Sequence, residues 1–196
     1  MYTLVYDRFN KRSLDALSVS ADIKDIVYSV IEKIGKEKIR VQIARQIEMS
    51  EKYSNEILEG CKNMMGDLLD EESVGNLCEA LLHFMLTASL LPSERKVTWR
   101  GSELDLVIPS LKILSKSPQK AIVIQIIKRN DELTKIHHAE SVQPHGPNIW
   151  IVSARQLKLI HRNYYVGSRE FPYSRIISDI NTFLIRKGVR GLKLLH

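Results

Sequence analysis

The chain has 196 residues, of which 44% are hydrophobic and 27% are charged, as in a globular protein of one domain, with or without a helical extension. Its two cysteines are too few for a disulfide framework and show no metal-ligand spacing. No apolar run reaches the roughly 20 residues that span a bilayer, and the N-terminal sequence lacks the pattern of a signal peptide, so we expect a cytoplasmic protein without a membrane segment.

The charge of the chain is divided unevenly between its two halves. Residues 1–94 contain 11 Lys and Arg against 16 Asp and Glu, whereas residues 95–196 contain 18 against 7. A basic surface attracts phosphate backbones, so the second half predicts nucleic acid as a partner. The alternative is that these Lys and Arg side chains only solvate the surface.

The acidic half has the periodicity of helices. Apolar residues recur at helical spacing, which predicts helices at 22–34, 37–48, 50–69 and 73–90. The first three make up an N-terminal helical region, residues 1–72, and the fourth opens a second region, residues 73–196. The fourth helix has no Asp, Glu, Lys or Arg between Glu79 and Glu94, so we expect it to be buried.

After the fourth helix the apolar period changes to 2 and to continuous apolar runs, which indicates strands. Strands are predicted at 95–100, 103–108, 120–127 and 148–153, helices at 131–138, 154–162 and 174–187, and loops at 110–119 and 139–147. Gly101-Ser102 predicts a hairpin, and the helix before the last strand predicts a parallel crossover. The expected fold is α/β, with a mixed central β-sheet flanked by helices.

Polar residues interrupt two of these apolar strands. Asp105 lies in a strand where a carboxylate is costly unless it binds a cation, a hydrogen-bond donor or a substrate. The next strand is almost entirely apolar and ends in Gln125, Lys128 and Arg129. These residues are therefore candidates for a functional site.

The order of these features resembles the PD-(D/E)xK nuclease superfamily, which includes restriction endonucleases and Holliday-junction resolvases. The resemblance rests on the acidic helix, the G-x-E-x-D hairpin and the apolar third strand, and it covers about residues 73–165. It implies a restriction-endonuclease-like α-β-β-β-α-β core. It also implies a DNA endonuclease, junction-resolving or restriction-like, that needs Mg²⁺ or Mn²⁺ and acts as a homodimer, because two symmetric sites suit two strands.

The resemblance carries over to four predicted catalytic residues. Asp105 matches the metal-binding strand aspartate, Glu79 the helix acid and Gln125 the metal-binding acid of the E-x-K pair, while Lys128 is the candidate for the lysine that activates water. Gln binds Mg²⁺ more weakly than a carboxylate does. Because Lys128 lies three residues beyond Gln125 instead of two, only a bulge or an early strand end would bring both to one side.

Other residues have weaker assignments. Glu103 lies two residues before Asp105 and is either an extra metal ligand or an exposed hairpin residue. Phosphate contacts are predicted for Arg100, Lys116, Lys120 and Arg129. The histidines His137, His138 and His145 lack a diagnostic spacing and are expected in a polar loop, so we do not predict a zinc site.

Two further functions stay open at this point. The Gln and the displaced Lys also fit a catalytically degenerate nuclease-fold protein that binds nucleic acid or scaffolds a protein partner. An unrelated α/β protein whose acidic helical half mediates protein contacts is the third hypothesis. Cleavage of DNA, binding without cleavage and absence of binding separate the three.

Overall fold

A five-stranded sheet forms the centre of the computed structural model, which describes residues 23–66 and 70–189. Its strands are adjacent in the order of the sequence: β1 Glu94–Trp99, β2 Ser102–Ile108, β3 Ile122–Ile127, β4 Ile149–Ser153 and β5 Arg162–Tyr165. The residues of β3 and β4 are mostly β-branched and all buried, which suits these strands to the centre of the sheet.

Helices lie before, between and after the strands. They are α1 over residues 23–34, α2 Lys36–Arg45, α3 Met49–Met65, α4 Glu71–Ala88, α5 Leu111–Lys116, α6 Thr134–Val142 and α7 Ile176–Arg186. The side chain of Asp70 accepts the backbone N–H of Ser73 and caps α4. The predicted end of the third helix, at residues 67–69, lies outside the described residues. Within the described ranges, none of the helices has the length and apolar character to cross a membrane.

The pairing of the strands confirms the mixed sheet. β1 and β2 form the predicted antiparallel hairpin, and Arg100 and Gly101 have φ angles of 51° and 78°, as the turn of a tight hairpin requires. β2 and β3 are also antiparallel, whereas β3, β4 and β5 run parallel. The crossover from β3 to β4 contains α6, as predicted.

Side chains alternate between the two faces of the sheet. In β3, Ile122, Ile124 and Ile126 pack with α1 to α4 and α7, whereas Val123 and Ile127 pack with α6. We call these the α4 face and the α6 face. Each fully buried aliphatic side chain contributes about 1.5–3 kcal/mol, so both faces stabilise β3. The division into residues 1–72 and 73–196 stays a prediction.

Three secondary-structure predictions are wrong. Residues 154–161 are irregular and are followed by β5, so the helix predicted at 154–162 is absent from this described segment. Leu157 and Leu159 instead alternate with polar residues and pack against the α6-face core. The loop predicted at 110–119 contains α5, which Ser110 caps, and α6 extends four residues into the loop predicted at 139–147.

Candidate active site

β2 and β3 separate at Asp105, the carboxylate that interrupts an apolar strand in the sequence. Three residue pairs join the strands, from Ile108 opposite Ile122 to Leu106 opposite Ile124. At the next position, the hydrogen bonds between the strands are made by side chains instead of by paired backbone groups. Asp105 Oδ2 accepts the backbone N–H of Ile126 at 2.8 Å, and the backbone N–H of Asp105 donates to Gln125 Oε1 at 3.0 Å. The carboxylate of Asp105 therefore lies in the opening between the two strands.

Gln125 is fully buried on the α6 face. Its Nε2 donates to the carbonyl oxygens of Glu103 and Lys135, each at 3.0 Å. The amide thus makes three hydrogen bonds to backbone groups, including the one to Asp105. Its contacts join β2, β3 and α6.

The ammonium group of Lys135 lies where three oxygen atoms converge. Lys135 Nζ is 3.3 Å from Asp105 Oδ2 and 3.3 Å from Glu132 Oε2, and it donates to the carbonyl oxygen of Ile126 at 3.1 Å. Two carboxylates and a carbonyl are the hard oxygen ligands that Mg²⁺ and Mn²⁺ prefer. These oxygens are thus of the kind that binds a divalent cation, and in the structure Lys135 Nζ occupies the point where they converge.

The sequence interpretation missed Glu132 and Lys135. Glu132 lies in the 3-10 turn Asn130–Leu133, and Lys135 lies in the first turn of α6. The signal was present, because a helix that directly follows β3 brings its first turn to the carboxyl end of that strand. Acidic and basic residues three apart in that turn share one helix face.

A second polar cluster lies on the α4 face. Lys128 Nζ is 2.5 Å from Glu79 Oε2 and donates to Asn76 Oδ1 at 2.6 Å, while His83 Nε2 is 3.6 Å from Glu79 Oε1. His83 and Lys128 together hold the pKa of the Glu79 carboxyl well below its usual range, against the opposing effect of burial. Lys96 of β1 adds a longer contact of 4.0 Å to Glu79.

The four predicted catalytic residues are thus divided between two clusters. Gln125 and Asp105 contact one another on the α6 side, and Glu79 and Lys128 contact one another on the α4 face. Glu132 joins the clusters, since its Oε2 accepts the backbone N–H of Lys128 at 3.1 Å. Among the described residues, no group of three or more His, Cys, Asp or Glu side chains is placed to hold a metal ion. The roles assigned to Asp105, Glu79, Gln125 and Lys128 stay predictions.

The four predicted phosphate contacts also divide by position. Arg100 lies in the β1–β2 turn and Arg129 follows β3, so both are at the end of the sheet that carries Lys128 and Glu132. Lys120 comes just before β3, roughly 15 Å from Gln125 at about 3.3 Å per residue, and Lys116 ends α5, which also precedes β3. Arg129 also pairs with Asp131 at 3.1 Å and with Glu72 at 3.8 Å.

Two of the three histidines considered for zinc lie on a helix instead of in a loop. His137 and His138 belong to α6, and His145 follows it. Glu140 accepts contacts from His137 Nδ1 at 3.0 Å and from His161 Nε2 at 2.9 Å. His161 and His137 lower the pKa of Glu140. This cluster forms part of the packing between α6 and the start of β5.

The chain is similar to known proteins in its structure. No protein-family model matches the chain, and no curated protein matches it in sequence. The chain is similar to the restriction endonuclease PspGI in its complex with substrate DNA, with a TM-score of 0.52 and 14% identity over 84% of this chain and 93% of that one.

Two structures of metal-depleted Ecl18kI have TM-scores of 0.48. One is bound to uncleaved, modified DNA, with 8% identity over 91% of this chain and 86% of that one. The other is bound to uncleaved DNA, with 7% identity over 88% and 82%. On the likeness to PspGI, together with the strand order and the helices on both faces, the chain has a restriction-endonuclease-like fold.

Proposed function

We propose that the chain binds DNA and hydrolyses its phosphodiester bonds with the help of a divalent metal ion. The observation that carries this proposal is the convergence of Asp105, Glu132 and the Ile126 carbonyl on Lys135 Nζ. Each of these oxygens lies 3.1–3.3 Å from one positively charged nitrogen. The cluster is also partly open to solvent, since the side chains of Asp105 and Glu132 are each 22% exposed.

The residues of this cluster have separate roles in the proposal. Asp105, Glu132 and the carbonyl of Ile126 would hold Mg²⁺ or Mn²⁺, which when bound neutralises phosphate charge and lowers the pKa of a coordinated water. Lys135 places a positive charge beside the same oxygens and would stabilise the negative charge that develops on the phosphate. Lys135 thus takes the place that the sequence resemblance assigns to Lys128.

Double-stranded DNA is the substrate that the surroundings favour. Arg100 and Arg129 lie at the same end of the sheet as the cluster, and Arg100 is exposed. PspGI, which shares the fold, is known in a complex with substrate DNA. A homodimer would present two such sites, one for each strand of a duplex. We therefore favour a restriction-like substrate over a branched junction.

One observation favours a second function, DNA binding without hydrolysis. Among the residues that the structure describes, two carboxylates meet at Lys135, and the same ammonium group neutralises both of them. If Lys135 never yields to a divalent ion, the fold retains its DNA-binding surface and lacks a nuclease centre. The test of the nuclease proposal distinguishes these two cases directly.

The test measures cleavage and binding on the same samples. Supercoiled plasmid, linear duplex and branched DNA are incubated with the protein in Mg²⁺, in Mn²⁺ and in EDTA. Asp105→Asn and Glu132→Gln keep the shape of each side chain and should lower the cleavage rate about 100-fold or more. The matched control is Glu56→Gln, an exposed glutamate on α3, which should cleave like the parent.

Each outcome has a distinct meaning. Metal-dependent cleavage that is lost in both site variants and kept in the control supports the nuclease. Binding without cleavage both in Mg²⁺ and in Mn²⁺, as in EDTA, supports the second function. Absence of binding at low salt, where electrostatic attraction is strongest, removes both.

A further inference from the structure

We infer that Gln125 is a positioning residue that sets the relative placement of Asp105 and Lys135, and that it does not bind the metal ion. This inference rests on the proposed function, since it concerns the same cluster. The resemblance to E-x-K nucleases suggests the opposite, that Gln125 is a weakened metal ligand. The contacts of its amide group decide between the two roles.

The side chain of Gln125 has no free donor. Its two N–H groups go to the carbonyl oxygens of Glu103 and Lys135, and its oxygen accepts the N–H of Asp105, each at 3.0 Å. The residue is fully buried. An amide carries two donors and one carbonyl oxygen, so both donors are used and the oxygen is turned to the backbone of Asp105.

The three backbone groups belong to the residues that build the site. Asp105 carries the catalytic carboxylate on β2, Glu103 lies two residues before it on the same strand, and Lys135 carries the ammonium group in the first turn of α6. Because β2 and β3 separate here, the N–H of Asp105 is turned to a side chain, and a buried backbone group without a partner is costly. The Gln125 amide supplies a hydrogen-bond partner for the N–H of Asp105, and it joins β2 and α6 to β3.

A carboxylate could not replace this amide. Glutamate at position 125 would accept from the N–H of Asp105 but could not donate to the two carbonyl oxygens, which would then face a buried anion. The side chain that restores the E-x-K acid is therefore the one that disrupts the arrangement. The two roles therefore predict opposite effects of Gln125→Glu: tighter binding of the metal ion if Gln125 is a ligand, and weaker binding if Gln125 is a positioning residue.

The experiment compares Gln125→Glu with Gln125→Met, which has a similar shape without the hydrogen bonds. The binding of Mn²⁺ to the DNA-free protein is measured by calorimetry, and cleavage of duplex DNA is measured separately. Both variants should bind Mn²⁺ about 10- to 100-fold more weakly, as when a supporting residue of a metal site is lost. In cleavage, kcat should fall by a similar factor while KM for DNA changes little.

A measurement on the unaltered protein keeps the inference independent of cleavage and of how well the variants fold. In amide-resolved hydrogen exchange, the side-chain NH₂ of Gln125 and the backbone N–H of Asp105 should both be protected, with and without Mg²⁺. Gln125→Met should release the Asp105 N–H and leave that of Ile151 protected. If the protein binds Mn²⁺ and shows this protection but does not cleave DNA, the proposed function fails and the inference stands.

Three results would overturn the inference. The first is tighter Mn²⁺ binding or faster cleavage in Gln125→Glu, which is the behaviour of a metal ligand. The second is a Gln125→Met variant with unchanged Mn²⁺ affinity. The third is exchange of the Gln125 side-chain amide protons at the rate of a free amide.

Discussion

Gln125 and Lys128 lie three residues apart and project from opposite faces of the sheet. Gln125 contacts the carbonyl of Lys135 on the α6 face, whereas Lys128 contacts Glu79 on the α4 face. Side chains of a strand point to the same face at every second residue, and β3 ends at Ile127 without turning the two side chains to one side. The spacing that departs from E-x-K therefore separates the two residues in space.

The first prediction concerns which lysine assists hydrolysis. Lys135→Met should lower the cleavage rate about 100-fold or more, because it removes the positive charge beside Asp105 and Glu132. Lys128→Met should act mainly on stability, since Lys128 pairs with Glu79. Cleavage rates at saturating Mg²⁺ check this, with Lys62→Met on the exposed side of α3 as the control. A full loss in Lys128→Met with activity kept in Lys135→Met would restore the role that the sequence assigned to Lys128.

The second prediction concerns the close approach of α4 to β3 at Gly75. A Cβ atom at Gly75 would lie 2.9 Å from Lys128 Cγ and 3.1 Å from Lys128 Cα. Replacement of a helical glycine by alanine ordinarily stabilises a helix by up to about 1 kcal/mol, but here we expect a loss of about 1–3 kcal/mol from overpacking. Urea denaturation measures the difference. Gly146→Ala is the control, because a Cβ at that position meets nothing within 4 Å; a stabilised Gly75→Ala would contradict the prediction.

Much of this architecture could be predicted from the sequence because its signals are local. The glycine at position 101, the apolar run of β3 and the helix before β4 each have a strong pattern, and together they lead to the mixed sheet, although the turn lies at Arg100 and Gly101, one residue before the predicted Gly101-Ser102. β5 has only four residues, with the sequence RNYY, and so gives too short a pattern to recognise. Its place is set by parallel pairing with β4, a contact that periodicity cannot report.

The candidate site was predictable only in part, for a similar reason. Asp105 stands out because a carboxylate interrupts an apolar strand. Glu132 and Lys135 sit in a turn of mixed composition, and their approach to Asp105 depends on how α6 follows β3 in space. The sequence also could not reveal that the oxygen of Gln125 is turned to a backbone N–H, since amide direction is a property of packing.

The third prediction concerns the pH dependence of stability through Glu79. The pKa of Glu79 in the folded protein lies below its ordinary value of 4.5, because of His83 and Lys128. Ionised Glu79 therefore stabilises the fold above about pH 4.5, and this contribution is lost as the pH falls below that value. Glu79→Gln should be less stable than the parent by roughly 1.5–3 kcal/mol at pH 7.

The check is urea denaturation of both proteins at pH 7, 5 and 3. The stability gap between parent and Glu79→Gln should narrow towards pH 3, because below about pH 4.5 the unfolded parent takes up a proton at Glu79 while the folded parent keeps this carboxylate ionised. Glu56→Gln, an exposed substitution on α3, should show a small difference at every pH. A gap of constant size would mean that the ionisation of Glu79 does not contribute.

The fourth prediction concerns the two cysteines. Burial raises the pKa of the Cys61 thiol to about 11 and that of Cys78 to about 12, and the reactive species is the thiolate. An aromatic disulfide reagent at pH 8 should therefore react with neither thiol in the folded protein and with both in denaturant. The released chromophore is counted by absorbance. A thiol that reacts within seconds in the native protein would contradict the buried placement.

The last prediction separates the four candidate phosphate contacts by their distance from the site. Arg100→Ala and Arg129→Ala should each weaken duplex binding and reduce the slope of log K against log salt by about 1, because both lie at the end of the sheet that holds Glu132. Lys116→Ala and Lys120→Ala, at the opposite end of β3, are matched removals of one positive charge and should leave the slope unchanged. Fluorescence anisotropy over a salt series with an EDTA-treated protein measures this without cleavage. Equal losses in all four variants would indicate that DNA spans both ends of β3, and losses confined to the two lysines would place the DNA on the opposite end of the molecule.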